Sequence, residues 1–150
     1  MLSSPRAGWT DFTLGEPWCS LSYVTNVPMD WLEAAIRGLE SHQPFTVYGL
    51  CEPGRLMVTV CREECLVRFD EQQRAQFALE DFPAQAVAVD MVTFCQYLYD
   101  DISTHLCAWS RWVPAFAEET EAEKQRHYDR FAKQLHEKLL KLSVLLEKRR

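Results

Sequence analysis

Two runs of alternating side chains, Phe45-Thr-Val-Tyr-Gly-Leu-Cys51 and Arg55-Leu-Met-Val-Thr-Val-Cys61, flank Glu52-Pro53-Gly54-Arg55. Proline fixes φ at the second position of such a turn and glycine accepts positive φ at the third, so this stretch predicts a β-hairpin and commits the chain to antiparallel pairing. In the second strand Leu56, Val58 and Val60 share one side and Met57, Thr59 and Cys61 the other, which leaves both faces partly apolar. Beyond the short polar break Arg62-Glu63-Glu64, Cys65-Leu-Val-Arg-Phe-Asp70 supplies a third strand of a β-meander. Gln76–Glu80 and Gln85–Val89 are weaker strand candidates.

Upstream, Phe12-Thr-Leu14 and Trp18-Cys-Ser-Leu-Ser-Tyr-Val-Thr25 are rich in aromatic and β-branched residues, and the second alternates cleanly enough to read as the first firm strand. Pro28 suits the first turn of a helix, where its missing N–H costs nothing. Leu32, Ala35, Ile36 and Leu39 then fall on one face of residues 28–41, with Trp31 beside the stripe, and His42 and Pro44 close the helix. Asp90 has the chemistry of an N-cap. Met91, Phe94, Cys95, Leu98, Ile102, Leu106 and Trp109 recur at three- and four-residue steps, predicting one continuous helix over residues 91–113 that ends before Pro114. Thr120-Glu-Ala-Glu123 has capping-box spacing and opens a basic amphipathic helix at about 118–149, with Tyr128, Phe131, Leu135, Leu139, Leu142 and Leu146 on its apolar side. The order of elements predicts a single α+β domain over residues 1–150: an antiparallel sheet packed by an N-terminal helix and two long C-terminal helices.

A chain of 150 residues buries enough surface to need no metal or disulfide staple. The opening eight residues lack the apolar stretch of a signal peptide, and no run approaches the roughly 18 apolar residues of a membrane span, so a cytoplasmic protein is expected. The six cysteines accordingly read as reduced thiols. Structural zinc takes four ligands, commonly as paired Cys-x2-4-Cys units. Cys51, Cys61 and Cys65 offer only one candidate pair, so no metal and no cofactor is expected; a regulatory disulfide between Cys61 and Cys65 is the alternative to plain structural thiols.

Catalytic constellations fare no better. Asp101 and His105 stand four apart on a helix with Cys107 nearby, but two residues from His105 a side chain points about 200° away, so the trio does not converge. An aspartate–histidine pair on one helix face is the simpler reading. His127 and His136 emerge on opposite sides of their helix, and no phosphate-binding glycine loop, nucleophile elbow or zinc-protease helix occurs.

The net charge of −6 is unevenly spread. Residues 1–113 carry seven Arg, no Lys and fifteen acids, a balance of −8, whereas residues 114–150 hold nine bases against seven acids, all nine from Lys124 onward. Arg126, Arg130, Lys133, Lys141 and Lys148 gather on the side of the last helix opposite its apolar residues. The acidic body opposes approach of that basic face to nucleic acid or an anionic membrane, so neither is expected as a partner. Complementary charge within the molecule, or a protein partner, accounts for it better. The acidic pairs Glu63-Glu64, Glu80-Asp81 and Asp100-Asp101 are by default solvated, yet together present a negative surface able to steer a basic protein. In Trp109-Ser-Arg-Trp-Val-Pro-Ala-Phe116 the composition is that of a binding hot spot; Trp109 is expected in the core, with Trp112 and Phe116 as interface candidates.

In size, acidity, α+β layout and lack of catalytic motifs, the chain resembles the small single-domain bacterial immunity proteins that accompany secreted toxins of the contact-dependent and type VI kinds. The resemblance implies a cytoplasmic, non-enzymatic inhibitor that binds its cognate toxin and blocks or distorts its active site. Charge and hot-spot composition, not the resemblance, give the partner a basic surface and place its docking at Glu63, Glu64, Glu80, Asp81, Asp100, Asp101, Trp112 and Phe116. Two rivals stay open: a small enzyme or regulator using Cys61, Cys65 or Cys107, and an adaptor or chaperone that binds through the C-terminal helix.

Overall fold

The structure, a computed structural model, describes residues 1–70 and 83–149. Ten elements follow in chain order: β1 (Trp9–Thr13), β2 (Trp18–Ser22), α1 (Val27–Ser41), β3 (Phe45–Leu50), β4 (Arg55–Val60), β5 (Cys65–Asp70), β6 (Gln85–Val87), α2 (Met91–Thr104), α3 (Leu106–Trp109) and α4 (Glu121–Glu147). The fold is α+β with two antiparallel sheets, the hairpin β1-β2 and the four-stranded meander β3-β4-β5-β6. The strand expected at Gln76–Glu80 lies outside the described residues, as do Glu80 and Asp81.

Register explains which face of the meander is core. Val47, Val58 and Val67 lie opposite one another, as do Phe45, Val60, Cys65 and Val87, and cross-strand partners point to the same side of a sheet. That side carries Phe45 against Phe94, with ring centroids 6.0 Å apart, and Leu21 of β2 against Gly49. A Cβ at Gly49 would stand 2.7 Å from the Leu21 side chain, so only glycine lets the hairpin approach there. Phe12 meets the Trp31 ring edge-on at 5.9 Å, and Trp31 donates through Nε1 to the Tyr48 carbonyl at 2.7 Å, using an acceptor on the outer edge of the meander. Helix α4 closes the far side of the core, burying Leu135, Leu139, Leu142 and Leu146 against α1, α2 and α3.

The hairpin of β3 and β4 forms as expected, but its turn differs. The left-handed residue is Glu52 at φ 39°, ahead of a cis peptide to Pro53, and Cys51 N donates to Gly54 O at 2.7 Å. The strand expected over Trp18–Thr25 stops at Ser22 and pairs with β1 in a sheet of its own. The single helix expected over residues 91–113 is broken at His105, where φ −117° and ψ 31° leave the helical region, and its last turn ends at Trp109. Beyond the break Trp109 is fully buried, and its Nε1 donates to the Asp101 carbonyl at 3.3 Å. At the other helix starts, local chemistry predicted the outcome. Asp90 accepts from Thr93 N at 2.9 Å, and Thr120 and Glu123 form the reciprocal capping box.

Candidate functional site

The described residues expected to form one docking surface sit on different elements of the fold. Glu63 and Glu64 are exposed in the turn between β4 and β5, and Asp100 is exposed on α2. Asp101 is half-buried and committed: it accepts from Leu2 N at 2.7 Å and stands 3.3 Å from the Met1 amino group. Among the described residues it forms no ion pair with His105, so the expected aspartate–histidine pair is replaced by a tie between α2 and the start of the chain.

Trp112 is no interface residue. It is 1% exposed, its ring lies 5.3 Å from that of Trp109, and its Nε1 donates to Thr25 O at 2.9 Å. The segment turns both tryptophans inward and sends Arg111, between them in sequence, over the Tyr128 ring at 5.3 Å. Phe116, the other interface candidate, is 75% exposed, in a turn where its N–H donates to Glu119 Oε2 at 2.8 Å.

The thiols divide by environment. Burial pushes Cys65 and Cys95 each up to about 12, with neighbouring thiols and Asp90 adding to the effect, and Cys65 donates to the Val89 carbonyl at 3.2 Å. Both are protonated and inert at neutral pH. Cys19 and Cys51, 32 positions apart, neighbour each other where β2 crosses the end of β3. Their mutual interaction raises Cys19, which burial raises further, and lowers Cys51. Spacing arguments limited to Cys51, Cys61 and Cys65 missed this pair, because the β1-β2 hairpin that delivers Cys19 folds over from another sheet. No group of three or more potential metal ligands converges among the described residues.

The basic face of α4 is partly spent within the molecule. Lys138 pairs with Glu33 at 2.9 Å and Lys141 with Glu40 at 2.8 Å, binding α4 to the acidic side of α1. Each pair is at least a third exposed, so they orient the helix more than they stabilise it.

A surface that sequence reasoning passed over lies on the β1-β2 hairpin. The pairs Trp9–Ser22, Asp11–Ser20 and Thr13–Trp18 share one side of the hairpin, where Ser22 is buried and the two tryptophans stand exposed at opposite ends of a strip centred on Asp11. Trp18 is 62% exposed and Trp9 39%, with Tyr23 and Val24 also exposed beside Trp9. Ser20 donates to Asp11 Oδ1 at 2.5 Å, and Ser22 to Glu52 Oε1 at 2.6 Å, which brings the β3-β4 turn to the edge of the strip. Glu16 is exposed in the turn after β1, and Arg6, paired by backbone to Trp9, is the nearby base. The alternation Trp9-Thr-Asp-Phe-Thr13 held the signal, since Thr10 and Phe12 share the buried parity and Trp9 the other. No protein-family model, curated protein or solved structure matches this chain.

Proposed function

We propose that this chain is a non-enzymatic inhibitor that works by binding a protein, in the manner of the immunity proteins whose layout it shares, and that its target is a toxin with a basic surface. The observation that carries this reading is the hairpin face where Trp9 and Trp18 stand exposed around Asp11, with Glu16 and Glu52 at its ends. Tryptophan is among the residues most enriched at binding hot spots, and apolar groups clustered on one exposed face, as Trp9, Tyr23 and Val24 are beside this strip, mark interaction sites where single exposed ones do not. Together the exposed parts of the two rings amount to about one whole tryptophan, roughly 200 Å², a quarter of the ~800 Å² that one partner contributes to a standard interface. The surrounding carboxylates and the net charge of −6 supply steering toward a basic partner, felt as a fast, salt-sensitive association rate.

The test couples binding to protection. The tagged protein is used to isolate a partner from its native host, and the partner is then expressed with wild type or with Trp18→Ala. The expected result is a one-to-one complex, an association rate that falls as salt rises, and growth protection that Trp18→Ala abolishes. No stoichiometric partner, or a Trp18→Ala protein that binds and protects as wild type does, overturns the proposal.

A further inference from the structure

Where α1 ends, α2 begins and α4 finishes, a cleft of about 440 Å³ opens, lined by the polar residues His42, Arg62, Asp90 and Arg149 and the apolar residues Leu39, Met91 and Val92. It shares no residue with the hairpin face. Three local devices assemble it from distant parts of the chain. His42 takes the left-handed position after α1, at φ 58°, which swings it off the helix. Arg149 reaches back from the end of α4, donating through Nη2 to Leu39 O at 2.7 Å and lying 2.6 Å from His42 Nδ1. Arg62 sits in the β4-β5 turn, whose backbone is tied to the start of α2 by Met91 N donating to Arg62 O at 3.4 Å.

The charge of this lining is not balanced internally. Among the described lining residues Asp90 is the one acid, and its two oxygens are taken up by Thr93 N at 2.9 Å and Thr93 Oγ1 at 2.7 Å. Among the described residues no ion pair joins it to Arg62 or Arg149. Among the described lining residues two guanidiniums therefore stand against one carboxylate, beside the hydrocarbon side chains of Leu39, Met91 and Val92. A volume within the roughly 300–1,000 Å³ range of ligand sites, guanidinium donors and hydrocarbon side chains define one chemistry.

We propose that this cleft binds an organic monocarboxylate, its carboxylate held by Arg62 and Arg149 and its apolar part resting on Leu39, Met91 and Val92. Asp90 in the lining disfavours a second negative charge and so discriminates against a phosphate dianion.

Titration followed by amide NMR tests this with benzoate, its neutral isostere benzamide, inorganic phosphate, and a short peptide ending in a free phenylalanine carboxylate. Benzoate or the peptide is expected to shift the Leu39, Met91 and Val92 signals saturably, with benzamide and phosphate at least tenfold weaker. Preference for benzoate assigns the site to free acids and preference for the peptide to a polypeptide terminus. Arg62→Ala, an exposed turn position, is expected to weaken binding at least tenfold with an unchanged thermal midpoint, and Arg149→Lys to weaken it while keeping the charge. Absence of saturable shifts with either carboxylate, equal binding of benzamide, tighter binding of phosphate, or undiminished binding by a folded Arg62→Ala protein overturns the proposal.

Discussion

The indole of Trp112 donates to the backbone carbonyl of Thr25 across 2.9 Å, joining positions 87 residues apart. The bond ties the chain after α3 to the loop that enters α1, and the ring is buried against Trp109. Trp112→Phe keeps most of the apolar volume and removes one of the two donors to the Thr25 carbonyl, which still accepts from Val27 N at 2.9 Å, at a cost of about 0.5–1.5 kcal/mol. Urea denaturation is expected to show that loss while partner association stays as in wild type. Wild-type stability together with lost association would return Trp112 to the interface.

Trp18 is expected to behave in the opposite way. At 62% exposure it contributes little to folding, so Trp18→Ala should change stability by no more than about 0.5 kcal/mol. A hot-spot tryptophan costs about 2 kcal/mol or more when truncated, roughly a 30-fold loss of affinity. Phe116→Ala serves as the comparison, since Phe116 is exposed on the loop before α4 and belongs to neither hairpin strand. A large loss at Phe116 with none at Trp18, measured by calorimetry against the isolated partner, would move the docking face to that loop.

What the sequence made legible was local. The capping box at Thr120, the N-cap at Asp90 and the α1 stripe all depend on neighbours within four positions, and each formed as spacing predicts. Long-range closure was not legible. Trp112 and Phe116 carry the same hot-spot composition, and what separates them is the acceptor at Thr25, which no local pattern announces. The same holds for Cys19 beside Cys51 and for Arg62, Arg149 and His42 around one cleft, each brought together by a crossing of elements. The break at His105 interrupts a helical pattern that was continuous on paper.

Arg55 and Asp70 face each other across β4 and β5, with Arg55 Nε and Nη2 each 2.9 Å from Asp70 Oδ2. Asp70 is fully buried whereas Arg55 keeps 28% of its side chain exposed. Asp70→Ala removes the buried member of this ion pair, and breaking a buried pair costs about 3–5 kcal/mol; the partial exposure of Arg55 places the expected value near the lower figure. Replacing both residues by apolar ones, as in Arg55→Met with Asp70→Leu, is expected to recover most of that loss. Chemical denaturation of the three variants checks it, and a double variant no better than Asp70→Ala would show that the pair's other contacts dominate.

The cap at Asp90 gives a pH signature. Hydrogen bonds from Thr93, backbone and side chain, favour the ionised carboxylate and lower its pKa in the folded state. A lowered folded pKa means that the contribution is complete above the unfolded value of about 3.9 and disappears as pH falls through the folded value. Asp90→Ala is therefore expected to lose about 0.5–2 kcal/mol at pH 7. The gap to wild type should narrow below about pH 4. Denaturation midpoints of both proteins across that range provide the measurement, and a gap that widens in acid would contradict the cap.

Thiol labelling of the folded protein tests the division of the six free cysteines. Cys107 is exposed and should react first; Cys51, half-buried with its pKa lowered beside Cys19, should follow and keep reacting below the usual thiol range. Cys65 and Cys95, pushed up to about 12 by burial, should stay protected until the protein unfolds, as should Cys19. Mass spectrometry after a short pulse of alkylating reagent at neutral pH assigns each site. Early labelling of Cys65 would place a reactive thiolate in the turn beside Glu63 and Glu64, and would favour thiol chemistry over protein binding as the use of this molecule. The expected pattern instead leaves Cys51 as the activated thiol, and Cys51→Ser is then expected to remove its labelling while leaving hairpin-dependent binding intact.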